Sequence, residues 1–162
     1  MKKHTGFSLI ELMVILAILG AIMTIAVPNL STLFGQKTLP PVGKLFDKAL
    51  QITRLEAINR KRDVYLSPIT TDDWSSGWAV QYEDDQDPPV VQTIRVFSAP
   101  PSGTSITSND FNTANPIRIQ PSGQATVTGM FELQLSGCIG GNKLQYEVLI
   151  SGTFNKQVLS CP

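Results

Sequence analysis

Histidine is almost missing from this chain of 162 residues: the one example, His4, stands ahead of a long apolar run. Past that run no Ser-His or Cys-His arrangement can be assembled, which excludes nucleophilic catalysis of that kind. Two cysteines without clustered histidines cannot complete a zinc site of the usual sort, so neither a metal nor another cofactor is expected. No carboxylate pair falls in a recognisable motif, and the chain does not read as an enzyme. Charge is scarce too, at 16%, with Lys+Arg 13 against Asp+Glu 13. A balance like that gives no general attraction to nucleic acid or anionic lipid. Aromatic residues make up only 7% of the chain. Those at strand positions (Trp74, Trp78, Tyr82, Phe97, Phe131, Tyr146) read as core rather than as a ligand platform. No internal repeat is visible.

What the chain has is one long hydrophobic run. Phe7 to Val27 carries a single charge, Glu11. As a helix it spans roughly 31 Å, close to the hydrocarbon thickness of a bilayer. Lys2 and Lys3 precede it and hold the N-terminus in the cytoplasm, which places the remainder outside the inner membrane. The run is longer than the apolar core of a secretory signal peptide, whose length is about 7–15 residues. Glu11, one helical turn inside it, is costly in lipid unless paired. A cut between Gly6 and Phe7 would supply the partner: a new α-ammonium one turn from Glu11, or near the Glu11 of a neighbouring copy.

About 125 residues follow the membrane segment, enough for one domain with one core. Residues 29–39 continue as helix without charge until Lys37. Pro40-Pro41 predict a kink or short break. Val42, Leu45, Phe46, Ala49, Ile52, Leu55 and Ile58 then recur at helical spacing and predict a core-facing stripe, opposite Lys44, Lys48, Gln51, Arg54 and Asn59. Arg60-Lys61-Arg62 read as a helix end, where cations suit the dipole, rather than as a nucleic-acid patch. Strands are predicted at Val64–Leu66, Gly77–Tyr82 and Val91–Phe97, with Ser75-Ser76-Gly77 as a turn. The acidic run Glu83–Pro89 lacks the glycine of a calcium loop and reads as a solvated hairpin loop. Residues 98–115 read as a long surface loop. Ile117–Ile119 and Ala125–Val127 flank the turn signature Pro121-Ser122-Gly123. Phe131–Leu135, Leu144–Ile150 and Phe154–Leu159 alternate as strands, a Ser151-Gly152 turn joining the last two. Cys138 and Cys161, both on the oxidising side, read as a disulfide. A helix followed by seven or so antiparallel strands is an α+β domain with its sheet on the helix's apolar face.

Gly6-Phe7-Ser8-Leu9-Ile10-Glu11-Leu12 resembles the prepilin-peptidase site of type IV pilins and type II secretion pseudopilins. The resemblance implies cleavage after Gly6, N-methylation of Phe7, an assembly role for Glu11 and a helix-bending role for Pro28. It divides the chain into a leader (1–6), a transmembrane and filament-core helix (7–34) and a periplasmic α+β head (35–162). Without the leader the charges stand at 11 basic against 13 acidic. Arg54-x-x-Ala57-Ile58-x-Arg60, Trp74-x-x-Gly77-Trp78 and Ile94-Arg95 resemble the head of the FimT/FimU/GspH group. The cysteine pair around the last strands looks more like the FimT/FimU minor pilins than the secretion pseudopilin GspH. The function implied is that of a minor type IV pilin, a structural subunit for pilus assembly at or near the tip. Its partners would be other minor and major pilins, the prepilin peptidase and the inner membrane of a Gram-negative bacterium. A GspH-like pseudopilin is the alternative. DNA uptake is a further one: FimT-type proteins carry Gly-Arg-x-Arg before the second cysteine, but Gly152 to Lys156 here hold a glycine and no arginine. Lys143 and Lys156 alone are a thin phosphate contact.

Overall fold

The computed structural model describes residues 9–138 and 141–161, and of residues 25–38 and 136 the backbone only. One helix, α1 (Leu9–Arg60), precedes eight strands. These are β1 (Val64–Thr70), β2 (Asp73–Glu83), β3 (Val91–Ser98), β4 (Thr104–Thr107), β5 (Ile117–Ile119), β6 (Gly129–Leu135), β7 (Asn142–Val148) and β8 (Phe154–Ser160). A 3-10 turn, Ser136–Cys138, links β6 to the approach to β7.

The strands form two four-stranded antiparallel sheets, in the orders β3-β2-β1-β5 and β4-β6-β7-β8, where a single sheet was expected. Strand alternation reports which side chains share a face but not which strands pair, so the split was not legible in the pattern. Both sheets rest on the head half of α1. Phe46, fully buried, is the hub of the aromatic core, with ring centroids 5.4 Å from Trp78, 5.0 Å from Phe131 and 5.3 Å from Tyr146.

The break expected at Pro40-Pro41 is not there: α1 runs through both prolines. Both rings face solvent, while Leu39 and Val42 on either side are buried at 5% and 1% exposure. Packing of the flanking turns holds a helix that the prolines alone would interrupt. The core stripe also differs from the expected one. Leu39, Val42, Phe46, Ala49, Leu50, Thr53 and Ala57 face inward, whereas Leu45, Leu55 and Ile58 lie in solvent at 45%, 58% and 43% exposure. Thr53 is admitted because its hydroxyl donates to the Ala49 carbonyl at 2.8 Å.

Ser75-Ser76-Gly77 is not a turn but part of β2, which begins at Asp73. Gly77 is needed there: its φ is +107°, and a Cβ would press on the Phe97 carbonyl. The stretch 98–115 is not a featureless loop. It contains β4, paired with β6, and Phe111, which is buried and stacks on Phe131 with ring centroids 5.1 Å apart. Residues 125–127 form no strand; Ala125 makes one bridge to Ile119.

Candidate assembly surface

From Leu9 to Met23 the large apolar side chains of α1 are all exposed, including Leu9, Met13, Leu16 and Ile22. Glu11, in the first turn, is the sole charge of residues 9–24, and it is exposed. A helix apolar on every side is stable only against other apolar surface, in lipid or against further helices. Among the described residues no helix is long and apolar enough to cross a membrane; the run read from the sequence extends beyond the side chains described at both ends. Gly6 and Phe7 lie outside the described residues. Pro28 falls within the helical backbone.

The head fixes α1 by polar contacts at two levels. Low on the helix, the Tyr146 hydroxyl of β7 donates to the Gly43 carbonyl at 3.0 Å. Lys156 of β8 sits over the Tyr146 ring, 5.3 Å from its centroid, and its ammonium pairs with Asp47 at 3.3 Å. Burial, with the Asp47 carboxylate beside it, pushes the Tyr146 phenol well above the ordinary tyrosine range. At the top, Arg60 and Arg62 lie over the Tyr82 ring, at 4.8 and 5.3 Å from its centroid. Arg62 pairs with Asp85 at 2.6 Å and donates to the Glu83 carbonyl. The basic cluster thus closes the helix, as its sequence reads, but against the acidic loop rather than in free solvent.

That loop is built and not merely solvated. Asp84 accepts from the Val90 amide at 2.9 Å, the Gln92 side-chain amide at 3.0 Å and the Gln86 amide at 3.2 Å. Those donors, the Val90 amide first, hold its carboxyl below the ordinary aspartate range. The loop overhangs a cleft of about 240 Å³ lined by Tyr65, Arg62, Arg118 and Asp85. Each arginine there already has a carboxylate partner, Asp85 or Asp63. Among the described residues no group of three metal-ligating side chains comes together.

Lys143 and Lys156 do not form one patch. Lys156 stands opposite Tyr146 and shares its face, whereas Lys143, three residues before Tyr146 on the same strand, points to the other. Lys143 is also paired, with Glu132 at 2.9 Å. Cys138 and Cys161 are disulfide-bonded, with Cα atoms 6.2 Å apart, and the bond staples the end of β8 beside the start of β7. Asp47 and Asp84 were missed as functional residues in the sequence. Their signals, a carboxylate beside the helix's apolar stripe and an aspartate opening a proline-rich loop, are too common to single out.

The Type II transport protein GspH family model matches residues 44–153, and the prokaryotic N-terminal methylation motif matches residues 1–27. No curated protein matches the chain significantly. Among solved structures the chain is similar to the type IV minor pilin FimU of Pseudomonas aeruginosa, with a TM-score of 0.58 at 13% identity, over 74% of this chain and 92% of that one. It is equally similar to the minor pseudopilin EpsH of the Type 2 Secretion System of Vibrio cholerae, with a TM-score of 0.59 at 13% identity, over 76% and 97%. At such identity the likeness shows a shared fold, and the helix-on-two-sheets head is the fold they share. The family model covers most of the head and the methylation motif covers the apolar start of α1, so the chain belongs to the GspH family and is a type IV pilin-like protein.

Proposed function

We propose that this chain is a minor type IV pilin, a non-catalytic structural subunit that assists pilus assembly at or near the tip. The observation that carries it is the division of α1. Its first turns expose apolar side chains around a single carboxylate, while its later turns bury one face, from Leu39 to Ala57, in a folded head. In this reading residues 1–6 are a leader, cleavage falls between Gly6 and Phe7, and Phe7 is N-methylated. The apolar helix moves from the inner membrane to the filament core, and the head stays in the periplasm until then. Glu11 pairs with a terminal ammonium, which sets axial register as helices slide together. Pilins and the prepilin peptidase are the partners.

The reading of a pilus over a secretion filament rests on the Cys138–Cys161 bond, which encloses β7 and β8, and on the resemblance of that cysteine pair to the FimT/FimU pattern. A secretion pseudopilin stays as the second reading, supported by the similarity to EpsH. DNA binding through Lys143 and Lys156 has less support, because each lysine is ion-paired and they face opposite ways. Intact mass and N-terminal sequencing from membranes test the pathway: a chain beginning at methylated Phe7 is expected, and one still beginning at Met1 beside an active peptidase overturns it. Deletion of the coding sequence then separates the two filaments. Loss of twitching with normal exoprotein release is expected; the opposite result makes the chain a pseudopilin.

A further inference from the structure

A cleft of about 240 Å³ opens on the sheet β4-β6-β7-β8, lined by Thr107, Asn109, Asp110, Met130, Glu132 and Gln145. It lies on the face turned away from buried Phe131 and Tyr146. Its wall is the turn after β4, and hydrogen bonds hold that turn to β6. The Ser108 hydroxyl donates to the Met130 carbonyl at 2.6 Å and accepts from the Asp110 and Phe111 amides at 3.2 and 3.1 Å. The Asp110 carboxylate accepts from the Met130 amide at 2.8 Å. A wall already fixed loses little freedom when a ligand binds.

The floor continues across the sheet. Thr107 stands opposite Glu132, Glu132 opposite Gln145 and Gln145 opposite Gln157, so one polar row crosses all four strands. Adjacent strands lie about 4.8 Å apart, close to the length that one pyranose unit adds to an extended chain. Among the described residues the amides of Asn109, Gln145 and Gln157 make no side-chain hydrogen bond. Each offers donors and an acceptor side by side. An anion is unsuited, because Lys143 beside the cleft is paired with Glu132 at 2.9 Å and Asp110 adds a carboxylate. An apolar ligand is unsuited too, since Met130, 50% exposed, is the one apolar side chain among the lining residues described. Paired donors and acceptors beside one apolar side chain match a sugar, whose hydroxyls do both and whose ring has a C–H face.

We propose that the cleft and its row bind a neutral glycan chain lying across the strands, one ring against Asn109, Asp110 and Met130 and the next over Gln145 and Gln157. Neither Glu11 nor the helix α1 takes part in this site.

The test is NMR on the full chain in phosphocholine micelles, which contain no sugar, titrated with N-acetylglucosamine, its trimer and cellotriose. Saturable shifts of the Met130 methyl and the Gln145 side-chain amide are expected with at least one trimer, at a Kd of about 1 mM. The monosaccharide should bind at least tenfold more weakly, and the better trimer reports whether the glycan is N-acetylated or plain. The double variant Asn109→Ala, Gln145→Ala should weaken trimer binding at least tenfold. Gln157→Ala should weaken the trimer several-fold and leave the monosaccharide unchanged, an unshifted Trp78 indole showing that each variant keeps its fold. No saturable shift with either trimer, equal binding of monosaccharide and trimer, or binding that survives the double variant would overturn the proposal. So would tighter binding of an oligolysine peptide, which would make the cleft a site for cations.

Discussion

Tyr146 and Gly43, 103 residues apart in sequence, are joined by a hydrogen bond of 3.0 Å from the phenol to the helix carbonyl. The contact depends on glycine: a Cβ at position 43 would stand 2.7 Å from Leu144 Cδ1 and 3.0 Å from the phenol oxygen itself. The Tyr146 ring meanwhile packs on Phe46. Tyr146→Phe should therefore keep the packing and lose only the hydrogen bond, about 1 kcal/mol by chemical denaturation. A loss several times larger would mean that the hydroxyl organises Asp47 and Lys156 as well.

Gly152, in the turn before β8, has a φ of +72°, and a Cβ there would drive into the backbone carbonyl of Gly123. The two turns also share a backbone bond, from the Ala125 amide to the Ile150 carbonyl at 3.0 Å, which ties one sheet to the other. Gly152→Ala should cost about 2 kcal/mol or more, from left-handed strain plus the collision. Gly103→Ala is the control: its φ is +88° but its surroundings are open, so only the strain applies. Equal losses in the two variants would show that the turns do not press on one another.

Much of this fold could be read from sequence period alone. The aromatic residues expected in the core are there: Trp74, Trp78, Phe97, Phe131 and Tyr146 are buried, and Tyr82 is partly so. The helix stripe was half right, because counting apolar residues overestimates the buried face when some of them stay in solvent; Leu45 and Leu55 are the examples. β4 was hidden because Thr104-Ser105-Ile106-Thr107 offers one large apolar residue, and its strand character comes from pairing with β6. At the candidate surface Glu11 and the cysteines announce themselves locally. Asp47 does not, since its partner Lys156 lies 109 residues away and only the tertiary fold brings them together.

The disulfide should matter most for β8. That strand is the edge of its sheet, its side chains are largely exposed, and the Cys161 amide donates to the Gly141 carbonyl at 3.0 Å. With a sequence separation of 23, the bond stabilises by about 3 kcal/mol in the chain-entropy model. In the double variant Cys138→Ser, Cys161→Ser, hydrogen exchange should quicken first at β8 amides while β1 and β2 stay protected. Uniform quickening across both sheets would show that β8 does not open by itself.

Acid should loosen the β2–β3 loop before the core. The Asp84 carboxyl is held below its ordinary value by the Val90 amide, then by Gln92 and Gln86, so folding favours its charged form. Its contribution is complete above the unfolded aspartate value, about pH 4, and fades as pH falls through the lower folded value. Amide shifts of Gln86 and Val90 should move in that acid range while those of β1 hold. In Asp84→Asn the loop should be looser at neutral pH and lose that titration. An unchanged titration in the variant would show that Asp84 is not its source.

Glu11 is the residue on which the assembly proposal turns. It is the one charge in an exposed apolar stretch of α1, and an unpaired carboxylate in lipid or in a bundle of helices costs several kcal/mol. Glu11→Ala removes that cost, so membrane insertion should be intact or improved. In the proposed reading it also removes the partner for an ammonium created by cleavage before Phe7, and with it a pairing that would set register between neighbouring helices. Processing should continue, because the substitution leaves the Gly6-Phe7 junction and the residues before it unchanged. The variant should thus accumulate in the membrane as mature protein while its recovery in sheared filaments falls at least tenfold. Filament recovery equal to the unsubstituted chain would leave Glu11 without a role in assembly, whatever the rest of the helix does.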